Sequence, residues 1–137
     1  MDKDIRYLVE NYKFNLERLD MLHNKLKQLK EYNTKITAAY GHNTQGSKGA
    51  VSSKVERHVL RIKETEEEIL DVEWAINTVD TAEKVLNNKE KEVIDLIKKG
   101  YYNKLTKMAK ILGQNKDYVQ TKRDSAFKKM NSYIANM

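Results

Sequence analysis

Apolar residues recur at heptad spacing through the first 86 residues of the chain. In the first 40 residues, one set repeats every seven residues and a second set follows three positions later: Ile5, Tyr12, Leu19 and Leu26, then Leu8, Leu22, Leu29 and Ile36. The spacing returns further on, in the sets Val55, Ile62, Ile69 and Ile76, and Val72, Val79 and Leu86. Residues seven apart share one side of a helix, so each region predicts a long helix with an apolar stripe.

Between the two striped regions lies a segment of different composition, GHNTQGSKGAVSSK, at residues 41–54. Its three glycines and small polar residues are typical of a flexible connection. At about 1.5 Å per residue each helix would be roughly 50 Å long, and antiparallel pairing would let the two stripes cover each other. Residues 1–86 are therefore predicted to form an antiparallel helical hairpin, a coiled-coil-like stalk.

Further apolar residues lie outside both stripes. One set, again seven residues apart, is Tyr7, Phe14 and Met21, and the other is Leu60, Leu70 and Trp74. One hairpin cannot bury both faces of its helices. These residues favour a homo-oligomer, a dimer above all, or docking of the C-terminal module; the alternative is that they are scattered surface residues.

From residue 87 the pattern changes to shorter helices. Asn87 can cap a first helix because Glu90 stands at the capping-box position, and Gly100 ends that helix. Two further helices are predicted, over residues 104–112 and from Asn115 onward, on either side of Gly113. The C-terminal segment, 87–137, is thus predicted to be a three-helix module.

The spacing of small and apolar residues in this module is that of a helix-turn-helix. Ala109 must be small where two helices approach closely, Gly113 supplies a left-handed turn, and Val119 anchors the following helix on the core. Met108 and Leu112 complete the motif core. The helix that begins near Asn115 is then the recognition helix.

Charge is sorted along the chain. The sequence carries 26 Lys and Arg against 20 Asp and Glu, a net charge of +6. Residues 87–137 hold 12 of these basic residues against five acidic ones, a net charge of +7, whereas residues 55–86 carry a net charge of −5. A basic helical module is suited to the DNA backbone, so double-stranded DNA is the predicted partner.

The outward positions of the recognition helix would face the major groove. Predicted base-reading residues are Asn115, Lys116, Asp117, Gln120, Thr121 and Asp124. Gln120 matches the edge of adenine, and Lys116 can reach guanine or a phosphate. Predicted phosphate-binding residues are Lys104, Lys107, Lys110, Lys122, Arg123, Lys128 and Lys129. They would set affinity and make it dependent on salt.

Two amino-acid types are absent from the sequence, and each absence limits the folds and sites that are possible. The sequence has no proline and no cysteine. The first absence favours an all-α fold, and the second excludes disulfides, a thiol nucleophile and zinc sites with sulfur ligands. No apolar run exceeds three residues, which predicts neither a membrane span nor a secretory leader. A reducing cytoplasm is the predicted location.

Nothing in the sequence favours an enzyme. The acidic run at residues 64–68 is typical of a solvated helix face, and the three histidines, His23, His42 and His58, have no metal-ligand spacing. A glycine-rich phosphate loop and a nucleophile with its base are both missing. We therefore expect no catalysis, no metal and no cofactor.

The C-terminal stretch resembles a known family. Residues 86–130 are similar to region 4 of bacterial RNA polymerase sigma factors, through the opening-helix segment KEVI at 91–94, Met108-Ala109, Leu112-Gly113 and the core positions Val119, Ala126 and Met130. With NTKITAAYG and KVERHVLRIKETEEEI included, the chain resembles small Firmicutes prophage regulators of the ArpU and RinA type. This resemblance implies control of late phage genes and leaves contact with RNA polymerase open.

Together these features predict a sequence-specific, DNA-binding transcriptional regulator of phage type. Two alternatives stay open. A phage DNA-packaging protein resembling a small terminase subunit also joins a helix-turn-helix to an oligomerising helical region. A helical interaction protein without a DNA role would use the basic module on an acidic protein surface.

Overall fold

The structure, a computed structural model, describes residues 4–40 and 48–137, with side-chain detail for 4–32 and 54–137. All regular secondary structure in these residues is helical, which confirms the all-α prediction. The helices are α1 Ile5–Glu10, α2 Tyr12–Tyr40, α3 Lys48–Ala82, α4 Asn88–Leu96, α5 Leu105–Leu112 and α6 Lys116–Ala135. A 3-10 turn, Glu83–Val85, follows α3, and a π-helical turn, Ile97–Tyr101, continues α4. None of the helices in the described residues has the length and apolar character that crossing a membrane requires.

The connection between the two long helices is shorter than predicted. α3 begins at Lys48, inside the segment 41–54 that was expected to be a loop, and residues 41–47 lie outside the described part of the chain. Once α3 has formed, each added residue gains a hydrogen bond, so the single glycine at position 49 and the small residues beside it do not stop the helix. Ile36 and His42 also lie outside the residues whose side chains are described.

A break at Asn11 divides the first predicted helix into α1 and α2. The Asn11 N–H and its side-chain Nδ2 both donate to the Tyr7 carbonyl oxygen, at 3.1 and 2.8 Å. An asparagine side chain that bonds a nearby main-chain oxygen competes with regular helix formation. The heptad spacing continues across this position and therefore gives no sign of the break.

The chain forms two compact units. The terminal unit consists of Met1–Glu17 and Trp74–Met137, and the middle unit consists of Arg18–Glu73. This division differs from the predicted one at residues 86 and 87, because α1 and the end of α3 pack with the C-terminal helices. The heptad spacing shows which apolar residues share one face of a helix, but it does not show which other helix covers each of them.

The core of the terminal unit draws on both of its chain segments. Its fully buried side chains include Ile94, Met108, Val119 and Met130 from the C-terminal helices. Ile5 and Val9 of α1 and Val79 of α3 belong to the same cluster. Of the predicted motif residues, Met108, Ala109 and Val119 are buried, Leu112 is half-buried and Gly113 is exposed, and the core also needs residues outside 87–137.

Polar contacts fix α1 to α6. The Ile5 N–H donates to Asn131 Oδ1 at 3.0 Å, and Asn131 Nδ2 donates to Asp4 Oδ1 at 3.1 Å. The Arg6 guanidinium lies 5.2 Å from the centre of the Phe127 ring. Hydrogen bonds from the Arg6 N–H and from Asn131 hold the pKa of the Asp4 carboxyl below its usual value. Asp4 also caps α1, so one carboxylate joins the start of α1 to α6.

In the middle unit, parts of α2 and α3 pack in antiparallel order. Arg18 lies 3.4 Å from Glu68, whereas Tyr32, further along α2, contacts the ring of His58, earlier in α3. The apolar side chains buried here are Leu22, Ile69 and Val72. Leu19, Leu26 and Leu29 are half-buried.

Two polar residues of α3, His58 and Thr65, occupy positions at the spacing of its apolar stripe, and both are buried. His58 and Thr65 precede Val72 by fourteen and seven residues, and both are almost fully covered. Each is satisfied by a main-chain oxygen: His58 Nε2 bonds the Leu29 carbonyl, and Thr65 Oγ1 donates to the Arg61 carbonyl at 2.8 Å. A buried polar group needs such a partner, so these bonds allow polar residues within the stripe.

Candidate nucleic-acid interface

The helix pair at the centre of the candidate interface, α5 and α6, is joined at Gly113, where the sequence predicts a left-handed turn. α5 ends at Leu112, and Gly113 adopts the left-handed conformation with φ 65° and ψ 32°. The Gln114 N–H donates to the Ala109 carbonyl oxygen at 2.9 Å, which satisfies a group left over at the helix end. The turn thus sets the direction in which α6 begins.

We expect Gly113→Ala to destabilise the protein by about 1 kcal/mol, because L side chains disfavour a positive φ. A Cβ at this position would meet no atom within 4 Å, so the cost is one of backbone conformation alone. Urea unfolding followed by circular dichroism measures the change. Gly113→Asn is the control, since asparagine tolerates the left-handed region better. An alanine variant as stable as the wild type would contradict the assigned turn.

Asn115 caps α6. Its Oδ1 accepts a hydrogen bond from the Tyr118 N–H at 2.7 Å, and its backbone is extended. This contact uses the oxygen that a bidentate contact to adenine would need. The structure gives Asn115 a capping role that the sequence analysis did not assign, and we prefer it to base reading.

The other predicted base-reading residues share one exposed face of α6. Consecutive members of this set are one or three residues apart along the helix. All of them are solvent-exposed: Lys116, Asp117, Gln120, Thr121 and Asp124. The opposite side of α6 is buried through Val119, Ala126, Phe127 and Met130. Asp124 lies 3.4 Å from Arg123 Nε, so its charge is partly neutralised within the helix.

Most predicted phosphate-binding side chains are accessible. The exposed ones are Lys104, Lys107, Lys110, Lys128 and Lys129, while Lys122 and Arg123 are half-buried. The ammonium groups of Lys104 and Lys107 both lie 5.8 Å from the centre of the Tyr101 ring, and that of Lys122 lies 5.7 Å from the ring of Tyr118. Aromatic rings therefore hold several of these cations near the surface.

Lys129 has a structural contact instead. Its Nζ lies 2.8 Å from Glu90 Oε1, although the prediction assigned it to DNA phosphate. Glu90 is almost completely buried and also accepts a hydrogen bond from Ser125 Oγ at 2.6 Å. The ion pair therefore joins α4 to α6 and makes Lys129 the weakest of the phosphate-binding candidates.

The Glu90 carboxylate also completes the capping box of α4. It accepts from the Asn87 N–H at 3.0 Å, and the Glu90 N–H donates to Asn87 Oδ1 at 2.9 Å. Burial raises the pKa of Glu90, but the hydrogen bonds from Lys129, Ser125 and Asn87 outweigh burial and lower the pKa to about 2. The sequence indicates the capping box; it gives no sign of the partners on α6, which are 35 and 39 residues away.

A second polar cluster supports the start of α2 in the terminal unit. Lys98 Nζ lies 2.8 Å from Glu83 and 3.7 Å from Asp80, and it lies 4.1 Å from the centre of the Tyr12 ring. The Tyr12 hydroxyl donates to Asp80 at 2.8 Å. Burial lowers the pKa of Lys98, but the adjacent carboxylates outweigh burial and raise it. This cluster was missed by the sequence analysis because its members come from three separate segments.

Metal binding has no visible basis in the residues with described side chains, since no three His, Asp or Glu side chains among them converge on one point. His23 lies 3.9 Å from Glu73, and His58 is buried against Leu29.

Comparison of the chain with protein-family models, with curated proteins and with solved structures found no match.

Proposed function

We propose that this protein is a sequence-specific, DNA-binding transcriptional regulator of phage type, with α6 as its recognition helix. The observation that carries the proposal is the exposed polar face of α6, which begins directly after the left-handed turn at Gly113 and is backed by a buried apolar face. A helix can enter a major groove when its outer face is exposed from the first turn and its inner face is packed against a core.

The side chains on that face suit base reading. Gln120 can donate to and accept from adenine, and Lys116 can donate to guanine or a phosphate. Asp117 and Asp124 would accept from cytosine and disfavour other bases by repulsion. We propose these residues, with Thr121, as the readers.

The basic side chains at the start of α5, within α5 and on α6 suit the DNA backbone. Lys104, Lys107, Lys110 and Lys128 are exposed cations within a segment of net charge +7. Phosphate contacts of this kind supply affinity without sequence information and weaken as salt is added.

We further propose that the protein acts as a dimer. Each unit exposes large apolar side chains: Tyr7 and Phe14 in the terminal unit are 60% and 57% exposed, and Met21 and Leu70 in the middle unit are 71% and 64% exposed. A second copy would cover part of this surface and supply a second recognition helix, which raises affinity and imposes half-site spacing.

The deciding experiment is selection of bound duplexes from a random library at two salt concentrations, with the mass of the complex measured in parallel. Enrichment of a palindromic site by a dimer, with affinity that falls steeply in salt, is the expected result. A ring-forming oligomer would favour the packaging protein, and salt-insensitive or absent binding would favour the interaction protein.

We expect Gln120→Ala and Lys107→Ala to affect DNA binding in different ways. Loss of the Gln120 side chain should reduce discrimination at one base pair by about 1–3 kcal/mol. Loss of the Lys107 charge should weaken all sequences equally and reduce the salt slope by about 1.

Titrations of the selected site and of single-base variants at several salt concentrations separate these two effects. Each variant serves as the control for the other, since both positions are exposed. If both changes weakened specific and random DNA by the same factor, α6 would not be the recognition helix.

A further inference from the structure

A shallow concavity in the middle unit is lined largely by basic side chains. Its walls are formed by Tyr32 of α2 and by Lys54, Arg57, His58 and Arg61 of α3. The four α3 residues are spaced by three, one and three positions, which places them on one side of the helix. We call these five residues the middle-unit basic cluster. No acidic side chain is among them.

Two cations of this cluster, those of Lys54 and Arg61, are exposed at its rim. Among the residues with described side chains, neither the Lys54 ammonium nor the Arg61 guanidinium forms an ion pair, and both are exposed. An anion would supply the counter-charge that these two side chains lack, and Arg offers the paired N–H donors that phosphate oxygens accept.

The floor of the concavity is fixed. His58 is almost fully buried, and its Nε2 bonds the Leu29 carbonyl oxygen, so that nitrogen carries a proton. The Tyr32 ring meets the His58 ring edge to face, with 4.9 Å between their centres. The two helices therefore present the basic side chains around a rigid aromatic base, which reduces the entropy that binding would cost.

We propose that the middle-unit basic cluster binds a phosphate group and that, in the DNA-binding protein proposed above, this phosphate belongs to the DNA backbone. The identity of the macromolecule rests on the proposed function, whereas the phosphate site rests on the cluster itself. The middle unit then adds contacts that are independent of sequence to those made by α6.

The first test compares two double variants of the full chain in binding random duplex DNA at several salt concentrations. Lys54→Gln with Arg61→Gln removes two cluster charges, and Lys27→Gln with Lys63→Gln removes two exposed charges of the same unit that lie outside the cluster. The cluster variant should reduce the salt slope by about 2 relative to the wild type. Equal slopes for the two double variants would overturn the backbone contact.

The second test uses inorganic phosphate and does not depend on DNA. In NMR spectra of the full chain, addition of phosphate at constant ionic strength should shift the His58 ring signals in a saturable way, with those of His23 as the internal reference. The shift should vanish in the cluster variant and persist in the control variant. No saturable shift in the wild type would overturn the phosphate site, while a shift in a protein that binds no DNA would mean that only the proposed function fails.

Discussion

A fragment of residues 87–137 should fail to fold, even though it contains the whole module that the sequence predicts. The core of the terminal unit includes Ile5, Leu8 and Val9 of α1 and Val79 of α3, all 3% exposed or less. Each such side chain contributes about 2 kcal/mol through burial, so the four contribute roughly 8 kcal/mol. That is comparable with the whole stability of a small domain, about 5–15 kcal/mol.

Circular dichroism and the dispersion of NMR signals would show whether the fragment has a cooperative transition. A point variant of the full chain isolates the same effect: Ile5→Ala should cost about 3 kcal/mol, because Ile5 is completely buried. Phe14→Ala is the matched control, since its side chain is 57% exposed and belongs to the same unit. Cooperative unfolding of the isolated fragment would show that α1 is dispensable.

We expect Glu90→Gln to destabilise the full chain by roughly 3 kcal/mol near neutral pH. The carboxylate is 2% exposed, and its contacts with Lys129, Ser125 and the Asn87 N–H hold its pKa at about 2, against 4.5 for an ordinary glutamate. A difference of this size corresponds to roughly 3 kcal/mol in favour of the folded state when the group is ionised. Glutamine keeps the shape and removes the charge.

The same pKa difference predicts how acid destabilises the wild type. Because the folded pKa lies below the unfolded one, the contribution of Glu90 is fully present above about pH 4.5 and is lost as the pH falls towards 2. Unfolding free energies measured over this range should therefore fall less steeply in Glu90→Gln than in the wild type. Glu92→Gln, an exposed position on the same helix, should follow the wild type. Parallel curves for wild type and Glu90→Gln would exclude the assigned network.

The parts of the fold that the sequence predicts are those specified by local chemistry. Gly113 marks the end of α5, Asn115 marks the start of α6, and Asn87 with Glu90 marks the start of α4. These signals act over a few residues, so they can be recognised without knowing the tertiary packing. The heptad stripe likewise predicts the long helices.

The parts that could not be predicted depend on contacts between distant residues. Ile5 and Leu8 belong to the stripe that continues into the middle unit, and nothing in their spacing shows that α6 covers α1. Lys129 looks like its exposed neighbour Lys128 in the sequence, because the Glu90 carboxylate that binds it lies 39 residues earlier. For Asn115, capping and base reading both require a polar side chain at the start of a helix, so only the geometry separates them.

The discontinuity of the terminal unit has a consequence for biosynthesis. Its two parts are separated by Arg18–Glu73, and α1 meets α6 through contacts between residues 126 positions apart. A ribosome adds about 5–20 residues per second, so several seconds pass between the synthesis of α1 and that of α6. Until then the apolar side chains of α1 have no native partner, and chaperones that bind short apolar segments can reach them. The proposed DNA-reading surface would consequently mature only after α6 has left the ribosome, and a message truncated before α6 would yield a chain with α1 exposed to proteases.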